Sequence, residues 1–214
     1  MRYAAGHKRE TRRRIVEAAA RVFRRNGFGA GSVDLVMKEA GLTPGGFYAH
    51  FKSKDELFEA AFLTLLDEAR LLRGQAPDDP GRRLSLATIA RTYLSASHRR
   101  AVDRGCVLPP LLSELPRRSP RLRRKFEAVL ADILAALAAR LESAAPSELD
   151  GNDRATGALA TMIGGLLLAR AVADDGKAES LLAACRNFID RAAGTTDDGL
   201  DRTADPLPCP ESRP

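Results

Sequence analysis

Hydrophobic residues recur along this chain at the three- and four-residue spacing of one helix face. The first such segment covers about residues 8–26, and its apolar positions are Ile15, Ala18, Ala19, Val22 and Phe23. Arginines occupy its other faces. No segment alternates polar and apolar residues as a half-buried strand does. The pattern therefore predicts an all-α fold.

Two shorter helices follow the first one closely. Ser32 is placed to cap a helix over about residues 33–40, and Gly41 provides a tight turn after it. Thr43 then precedes Pro44, which suits the first position of a third helix because the missing N–H costs nothing there. Three short helices with a glycine turn between the second and the third are typical of a helix-turn-helix, which binds DNA.

Further helices are predicted along the rest of the chain. The run Ser53–Glu56 has the pattern of a capping box and opens a fourth helix. The others are expected at about residues 83–100, 109–115, 120–141, 152–174 and 177–193. About nine helices result, with a three-helix domain over residues 1–54 and a larger helical domain over 55–194. The tail 195–214 is rich in proline and acidic residues, has few apolar ones and is predicted to be disordered.

The positive charge of the chain is concentrated at its N-terminal end. Residues 1–54 contain twelve Lys and Arg against four Asp and Glu, whereas the remaining residues contain twenty-two against twenty-four. A localised cationic patch is what binding to a phosphate backbone requires. A solubilising surface would give the same charge, so the charge alone leaves both interpretations open.

The cysteines and histidines show no spacing typical of a catalytic or metal site. They lie far apart in the sequence, at His7, His50, His98, Cys106, Cys185 and Cys209. We therefore expect no enzymatic activity, no metal and no cofactor. The N-terminus has no signal-peptide pattern, and the apolar stretch 159–173 is interrupted and too short to span a bilayer. These features favour a cytoplasmic protein without a membrane partner.

The N-terminal motifs together resemble the DNA-binding module of the TetR family of bacterial regulators. The resemblance covers about residues 10–60 and depends on Gly27-Phe28, Ser32-Val33, Ala40-Gly41-Leu42-Thr43, Gly46-Phe47-Tyr48 and the run from His50 to Leu57. It implies a homodimer, normally a repressor, whose helical C-terminal domain binds a small molecule and releases a pseudo-palindromic DNA operator. Residues 1–54 would then be the DNA-binding domain, and residues 55–194 the ligand-binding and dimerisation domain.

The resemblance also implies which residues contact DNA. The phosphate contacts of the family fall here on Thr43, Tyr48, His50 and Lys54. The base-reading positions of the family are Pro44, Gly45 and Gly46, which have no side-chain donor or acceptor, so bidentate readout from them is impossible. The two glycines would allow close approach of the backbone to the duplex, or would be an unspecialised solvent face.

Discrimination between DNA sequences must then come from other parts of the module. We expect Phe47 to contact thymine methyl groups, and Ser32, Val33 and Asp34 to contribute from the start of the second helix. The arginine-rich N-terminal arm and DNA shape are further candidates. The missing base-reading side chains also permit a ligand-independent, nucleoid-type DNA-binding protein, although such a protein would not need the large C-terminal domain.

The family pairs mainly through its last two helices, here about 152–174 and 177–193. The first of these is apolar almost all round, which predicts burial on two sides. The predicted dimer contacts are Ala158, Met162, Gly164, Gly165, Leu167 and Phe188. The alternative is a central helix that is enclosed entirely by its own domain.

The predicted effector site is mostly apolar. Its lining is expected to comprise Phe62, Tyr93, His98, Cys106, Leu108, Leu111, Phe126 and Leu130. Tyr93 and His98 would be polar groups in such a site, which suits a small apolar or aromatic effector. Each of these residues could equally be plain core. Cys106 could also sense oxidants or electrophiles, since cationic side chains and a helix N-terminus lie near it in sequence; structural packing is the alternative.

Overall fold

The computed structural model describes residues 2–67, 69–76, 79, 81–141 and 150–194. The predicted disordered tail lies outside these residues. Within them the fold is all helical apart from an isolated bridge between Gln75 and Arg83, which confirms the predicted fold class. The α-helices are α1 Arg2–Ala30, α2 Val33–Glu39, α3 Lys54–Asp67, α4 Leu86–Tyr93, α5 Ala96–Arg100, α6 Leu108–Leu111, α7 Pro120–Ala138, α8 Gly151–Ala171 and α9 Asp175–Ala192. Two 3-10 helices cover Pro44–Ala49 and Leu112–Arg117.

The chain forms two compact packing units. The first unit comprises Met1–Glu68 and Cys106–Arg123, and the second comprises Ala69–Gly105 and Arg124–Pro214. Helix α7 begins in the first unit and ends in the second. The predicted functional boundary after residue 54 falls inside the first unit, and it remains a prediction.

The first unit is built around the predicted apolar stripe of α1. Its five members, from Ile15 to Phe23, are completely buried. Helix α1 packs against α2, α3 and α6. Gly27 has a φ of 71°, and Gly41, after α2, has a φ of 67°. Both values lie in the left-handed region that glycine adopts without strain, so these residues turn the chain where the sequence predicted turns.

The predicted helix over residues 83–100 is wrong in one respect, because the structure divides it into α4 and α5. Leu94 leaves the helical region with a ψ of 48°, and Ser95 is extended. The Ser95 hydroxyl donates to the Thr92 carbonyl and accepts from the His98 N–H. Local bonds of this kind replace the helical backbone bonds that the break removes.

Arginines in the second unit donate to backbone carbonyls at helix ends. Arg140 reaches the carbonyls of residues 73, 74, 84 and 136, and Arg99 reaches those of Ala169 and Val172. Arg154 donates to Ala192, and Arg186 donates to Leu94. The carbonyls of Ala169 and Ala192 lie in the last turns of α8 and α9, where no later N–H of the helix can reach them. The carbonyls that Arg140 reaches at residues 73, 74 and 84 lie between α3 and α4, so this guanidinium connects that segment to the end of α7.

Candidate DNA-binding interface

Two capped turns position the predicted DNA-contacting segment. The Ser32 hydroxyl accepts the Leu35 N–H at the start of α2, as its N-cap pattern predicted. At the other end, the Ser53 hydroxyl accepts the Glu56 N–H, and the Glu56 carboxylate accepts the Lys52 N–H. The short 44–49 helix is held between these two turns. It is 3-10 rather than α-helical, in keeping with the low α-helix propensity of Pro44 and the glycines that follow.

The two aromatic residues of the 44–49 helix point in opposite directions. Phe47 is completely buried, stacks on Phe51 at 5.8 Å and meets the Tyr48 ring edge-on. Tyr48 is 75% exposed. The predicted contact of Phe47 with thymine methyl groups is therefore wrong, because its ring fills the core of the module. The Tyr48 side chain is exposed, and the phosphate contact that the resemblance implies for it remains a prediction.

The start of the 44–49 helix is open to close approach. Thr43, Pro44 and Gly45 are exposed, and a Cβ added to Gly45 would meet nothing within 4 Å. Gly46 is half-buried and faces the Met37 methyl group. Pro44, Gly45 and Gly46 offer no side-chain donor here, so this surface suits contact through backbone and shape rather than base readout.

His50 lies at the end of the same helix and is half-buried. Burial is the main cause that lowers the pKa of His50, and the positive charges of Lys8, Arg12 and His7 lower this pKa further. The ordinary value is already below neutrality, so the imidazole is uncharged at pH 7. Its Nδ1 atom is buried and has no hydrogen-bond partner within the described part of the chain. A neutral His50 can still donate one N–H to a phosphate oxygen.

Lys54 is held in place by groups of the first unit. Its Nζ atom donates to the Gly29 carbonyl at 3.2 Å and lies 4.3 Å from the centroid of the Phe28 ring. Arg118 lies over the same ring at 3.8 Å and pairs with Asp55 and Glu114. Burial, followed by the charge of Arg118, lowers the pKa of Lys54. Sequence reasoning did not identify Arg118 as part of this site, because its contact with Asp55 joins residues that are 63 positions apart in the chain.

Several of the N-terminal arginines have internal partners. Arg13 pairs with Glu10 and Glu17 on the surface of α1. Arg21 and Arg25 both pair with Glu39. Arg14 donates to the carbonyl of Ala40 at the end of α2. The positive charge counted from the sequence is therefore only partly available to a phosphate backbone.

Three residues at the start of α2 were predicted to help discriminate between DNA sequences, and they differ in exposure. Ser32 and Asp34 are exposed, while Val33 is half-buried. The Ser32 hydroxyl oxygen already accepts the capping bond, so the O–H group is what this side chain can still donate to DNA. Their DNA contacts remain predictions.

The predicted effector-site residues divide between the packing units. Phe62, Cys106, Leu108 and Leu111 belong to the first unit, and Tyr93, His98, Phe126 and Leu130 to the second. His98 is buried, and its ring meets Tyr93 edge-on at 4.7 Å, with Nδ1 2.7 Å from the Tyr93 carbonyl. A Cβ on Gly105 would lie 2.7 Å from the His98 ring. Gly105 thus makes room for this imidazole. Cys106 itself is half-buried.

The predicted dimer contacts separate into two groups. Ala158, Met162 and Gly165 are buried within their own chain, so their prediction as partner contacts is wrong. A Cβ on Gly165 would lie 2.6 Å from the Cys185 sulfur, which shows that α8 and α9 cross closely there. Gly164, Leu167 and Phe188 keep an exposed or open face, which leaves them available to a partner. Leu168, which the sequence did not single out, is 58% exposed beside them.

The helices that the structure describes include none long and apolar enough to cross a membrane.

Two sequence models of known families match the chain. Residues 15–61 match the model described as bacterial regulatory proteins, tetR family. Residues 82–185 match the model described as tetracyclin repressor-like, C-terminal domain. The matches fall on the DNA-binding module and on the greater part of the remaining helices.

Curated relatives are similar over the N-terminal module. The uncharacterized HTH-type transcriptional regulator YhgD of Bacillus subtilis is 45% identical over 56 residues, which are 26% of this chain and 29% of the relative. The HTH-type transcriptional regulator UidR of Escherichia coli is 40% identical over 62 residues, or 29% of this chain and 31% of UidR. The matched segment thus spans less than a third of each relative.

Solved structures are similar over most of the chain. Salmonella enterica GusR has a TM-score of 0.58 and 26% identity, with 86% of this chain and 95% of that chain covered. A TetR transcriptional regulator from Chloroflexus aurantiacus has a TM-score of 0.68 and 24% identity, with 89% and 98% covered. The second likeness concerns the fold alone. Together with the two family matches, these likenesses show that the chain belongs to the TetR family of DNA-binding transcriptional regulators.

Proposed function

We propose that this protein is a repressor that binds a pseudo-palindromic operator as a homodimer and is released by a small apolar or aromatic effector. One observation carries the proposal: the chain leaves two different surfaces free of internal packing. One is the polar surface of Thr43, Tyr48 and His50 in the first unit. The other is the apolar surface of Leu167, Leu168 and Phe188 on α8 and α9.

The apolar surface supports dimerisation. Leu167, Leu168 and Phe188 are 48%, 58% and 60% exposed, which is unusual for large apolar side chains on two packed helices unless a partner covers them. Gly164 lies one turn before Leu168 and would let another helix approach closely. A symmetric dimer through α8 and α9 would bury all four positions in both copies at once.

A symmetric dimer would present two copies of the 44–49 helix to DNA. The helices are expected to enter successive major grooves, roughly 34 Å apart. Tyr48, His50 and Lys54 would then hold phosphates in each half-site, while sequence discrimination comes largely from DNA shape. This arrangement accounts for a regulator whose recognition helix begins with Pro44, Gly45 and Gly46.

The effector site is proposed among the predicted residues of the second unit, which are Tyr93, His98, Phe126 and Leu130. In the second unit, the contact between Tyr93 and His98 supports a mostly apolar site with a few polar groups. Loss of operator binding on adding an effector, together with increased transcription from that operator, is the result expected of such a repressor, whereas a gain of binding would contradict release by the effector.

The dimer is tested with Leu167→Arg. We expect the variant to sediment as a monomer and to lose operator binding, because a buried unpaired guanidinium is strongly unfavourable in an interface. The control is Val102→Arg, which places the same charge at a residue that is 37% exposed outside α8 and α9. Val102→Arg should stay dimeric and bind DNA. A dimeric Leu167→Arg protein would refute this interface.

A further inference from the structure

The first turns of α1 have two faces of different chemistry. On one face, Glu10, Arg13 and Glu17 form a chain of ion pairs with N–O distances of 2.6 and 2.5 Å. One arginine between two carboxylates leaves a net charge of −1, and Glu10 and Arg13 are exposed. This face therefore offers no net positive charge to a distant partner.

The other face bears Lys8 and Arg12, which are one helical turn apart. They precede the buried Ile15 by seven and three residues, so they continue the side of α1 whose apolar stripe packs into the module. Both are exposed, and no carboxylate of the described residues pairs with either. The inward side of α1 thus changes from apolar to cationic in the helical turns before Ile15.

Arg12 is positioned beside the end of the 44–49 helix. Its guanidinium carbon lies 4.4 Å from the centroid of the Phe51 ring, and Phe51 directly follows His50. This stacking fixes the guanidinium while leaving its N–H groups exposed. The charges of Lys8, Arg12 and His7 are all close enough to lower the pKa of His50. Lys8 and Arg12 therefore lie near one predicted phosphate-contact position, and no carboxylate of the described residues pairs with either of them.

We propose that Lys8 and Arg12 form a second phosphate-binding surface, continuous with His50, that contacts the backbone of duplex DNA beside the recognition helix. This surface lies outside the contacts implied by the family resemblance, which are Thr43, Tyr48, His50 and Lys54. It rests on the proposed function for the orientation of the module on its operator. It also assigns different roles to adjacent arginines, since Arg12 contacts DNA and Arg13 only its own helix.

The experiment measures operator affinity against salt for Lys8→Ala, Arg12→Gln and Arg13→Gln. Each variant removes one positive charge, and Arg13→Gln is the matched control for a general charge effect. The probe is a duplex selected from random DNA by the wild-type protein. We expect Lys8→Ala and Arg12→Gln each to reduce the slope of log affinity against log salt by about one. Between 50 and 200 mM salt, each variant should lose about three- to fourfold less affinity than wild type.

Arg13→Gln should keep the wild-type slope. Among the described residues, Lys8 makes no hydrogen bond or ion pair with another segment, so Lys8→Ala tests the surface even if Arg12→Gln weakens the packing on Phe51. An equal decrease for all three variants would overturn the proposal in favour of diffuse attraction. Wild-type slopes for Lys8→Ala and Arg12→Gln, with a reduced slope for Lys54→Ala, would overturn this surface and leave the proposed function standing. Absence of selective DNA binding by the wild type would overturn both.

Discussion

The two packing units hold their helices together in different ways. In the first unit, rings make a continuous set of contacts, with centroids of Phe23, Phe28 and Phe58 between 5.1 and 5.8 Å apart. In the second unit, guanidinium groups of Arg99 and Arg140 join helix ends through backbone carbonyls. The first unit is thus stabilised mainly by apolar contact, and the second also depends on buried polar bonds.

This difference explains why the positive charge of the chain is available to DNA only at its N-terminal end. Because aromatic packing holds the first unit, cations such as Lys8 and Arg12 can remain at its surface. In the second unit, Arg140 and Arg154 are turned toward carbonyl oxygens of their own chain. Counting arginines therefore says less about DNA binding than the partners of each arginine do.

Phe47→Ala should have the largest effect, because it removes a completely buried ring from the first unit. We expect a loss of about 3–5 kcal/mol in the free energy of unfolding, measured in urea. The neighbouring Tyr48→Ala is the control, since that side chain is 75% exposed. It should change stability by only about 0.5 kcal/mol and weaken operator binding. A stable Phe47→Ala protein with an altered base preference would contradict the buried position.

Arg140→Ala tests the polar bonds of the second unit. The carbonyls of Gly74 and Leu84, both buried residues, would lose this donor, and we expect a loss of about 3 kcal/mol. Arg140→Met keeps most of the aliphatic stem and separates packing from hydrogen bonding. Both variants should be clearly less stable in urea, with Met somewhat closer to wild type. Wild-type stability for Arg140→Met would show that the bonds contribute little.

Gly165→Ala and Gly164→Ala distinguish the inner and outer sides of α8. A Cβ at position 165 would lie 2.6 Å from the Cys185 sulfur and 3.2 Å from Leu94, so a loss of about 1–3 kcal/mol is expected. A Cβ at position 164 would meet nothing within 4 Å of its own chain, so in the monomeric Leu167→Arg background, where no partner helix covers this position, alanine should add up to about 1 kcal/mol of helix stability. Thermal unfolding at one protein concentration compares them. Equal effects would place both glycines in the same environment.

Glu39→Gln should have the smallest effect and the clearest pH dependence. Hydrogen bonds from Arg21 and Arg25 lower the pKa of Glu39 below its ordinary value of 4.5. The pair therefore stabilises the folded state above that value, and the contribution disappears as the pH falls through the folded-state pKa. At pH 7 we expect Glu39→Gln to be about 0.5–1 kcal/mol less stable than wild type, since the pair is partly exposed.

Urea unfolding of both proteins at pH 7 and well below pH 4.5 measures this difference. It should vanish at the lower pH. Arg140→Met should show no comparable change, because its acceptors are carbonyl oxygens that do not titrate. A difference for Glu39→Gln that is the same at both pH values would mean that packing, rather than the ion pairs, is responsible.

The sequence predicted features that depend on local spacing. The buried stripe of α1 follows from helical periodicity, and the Ser32 and Ser53 caps follow from their positions before apolar runs. The glycine turn at Gly41 follows from the conformational freedom of that residue. These features needed no knowledge of the tertiary fold.

The sequence failed where two adjacent residues compete for one environment. Phe47 and Tyr48 are both aromatic, and Gly164 and Gly165 are identical, yet only one of each pair faces inward. The break at Ser95 required weighing a side-chain hydrogen bond against helix continuation. Which residue faces inward, and where a helix breaks, depends on tertiary contacts that cannot be deduced from hydrophobic periodicity.

The most direct test of the account is footprinting on the DNA upstream of the protein's own coding region, at increasing salt. The account predicts a discrete protected site with two half-sites centred about one helical turn, or roughly 34 Å, apart. Protection should disappear together at both half-sites as salt rises or with Leu167→Arg. Protection spread evenly over unrelated DNA would contradict it and identify a sequence-indifferent DNA-binding protein.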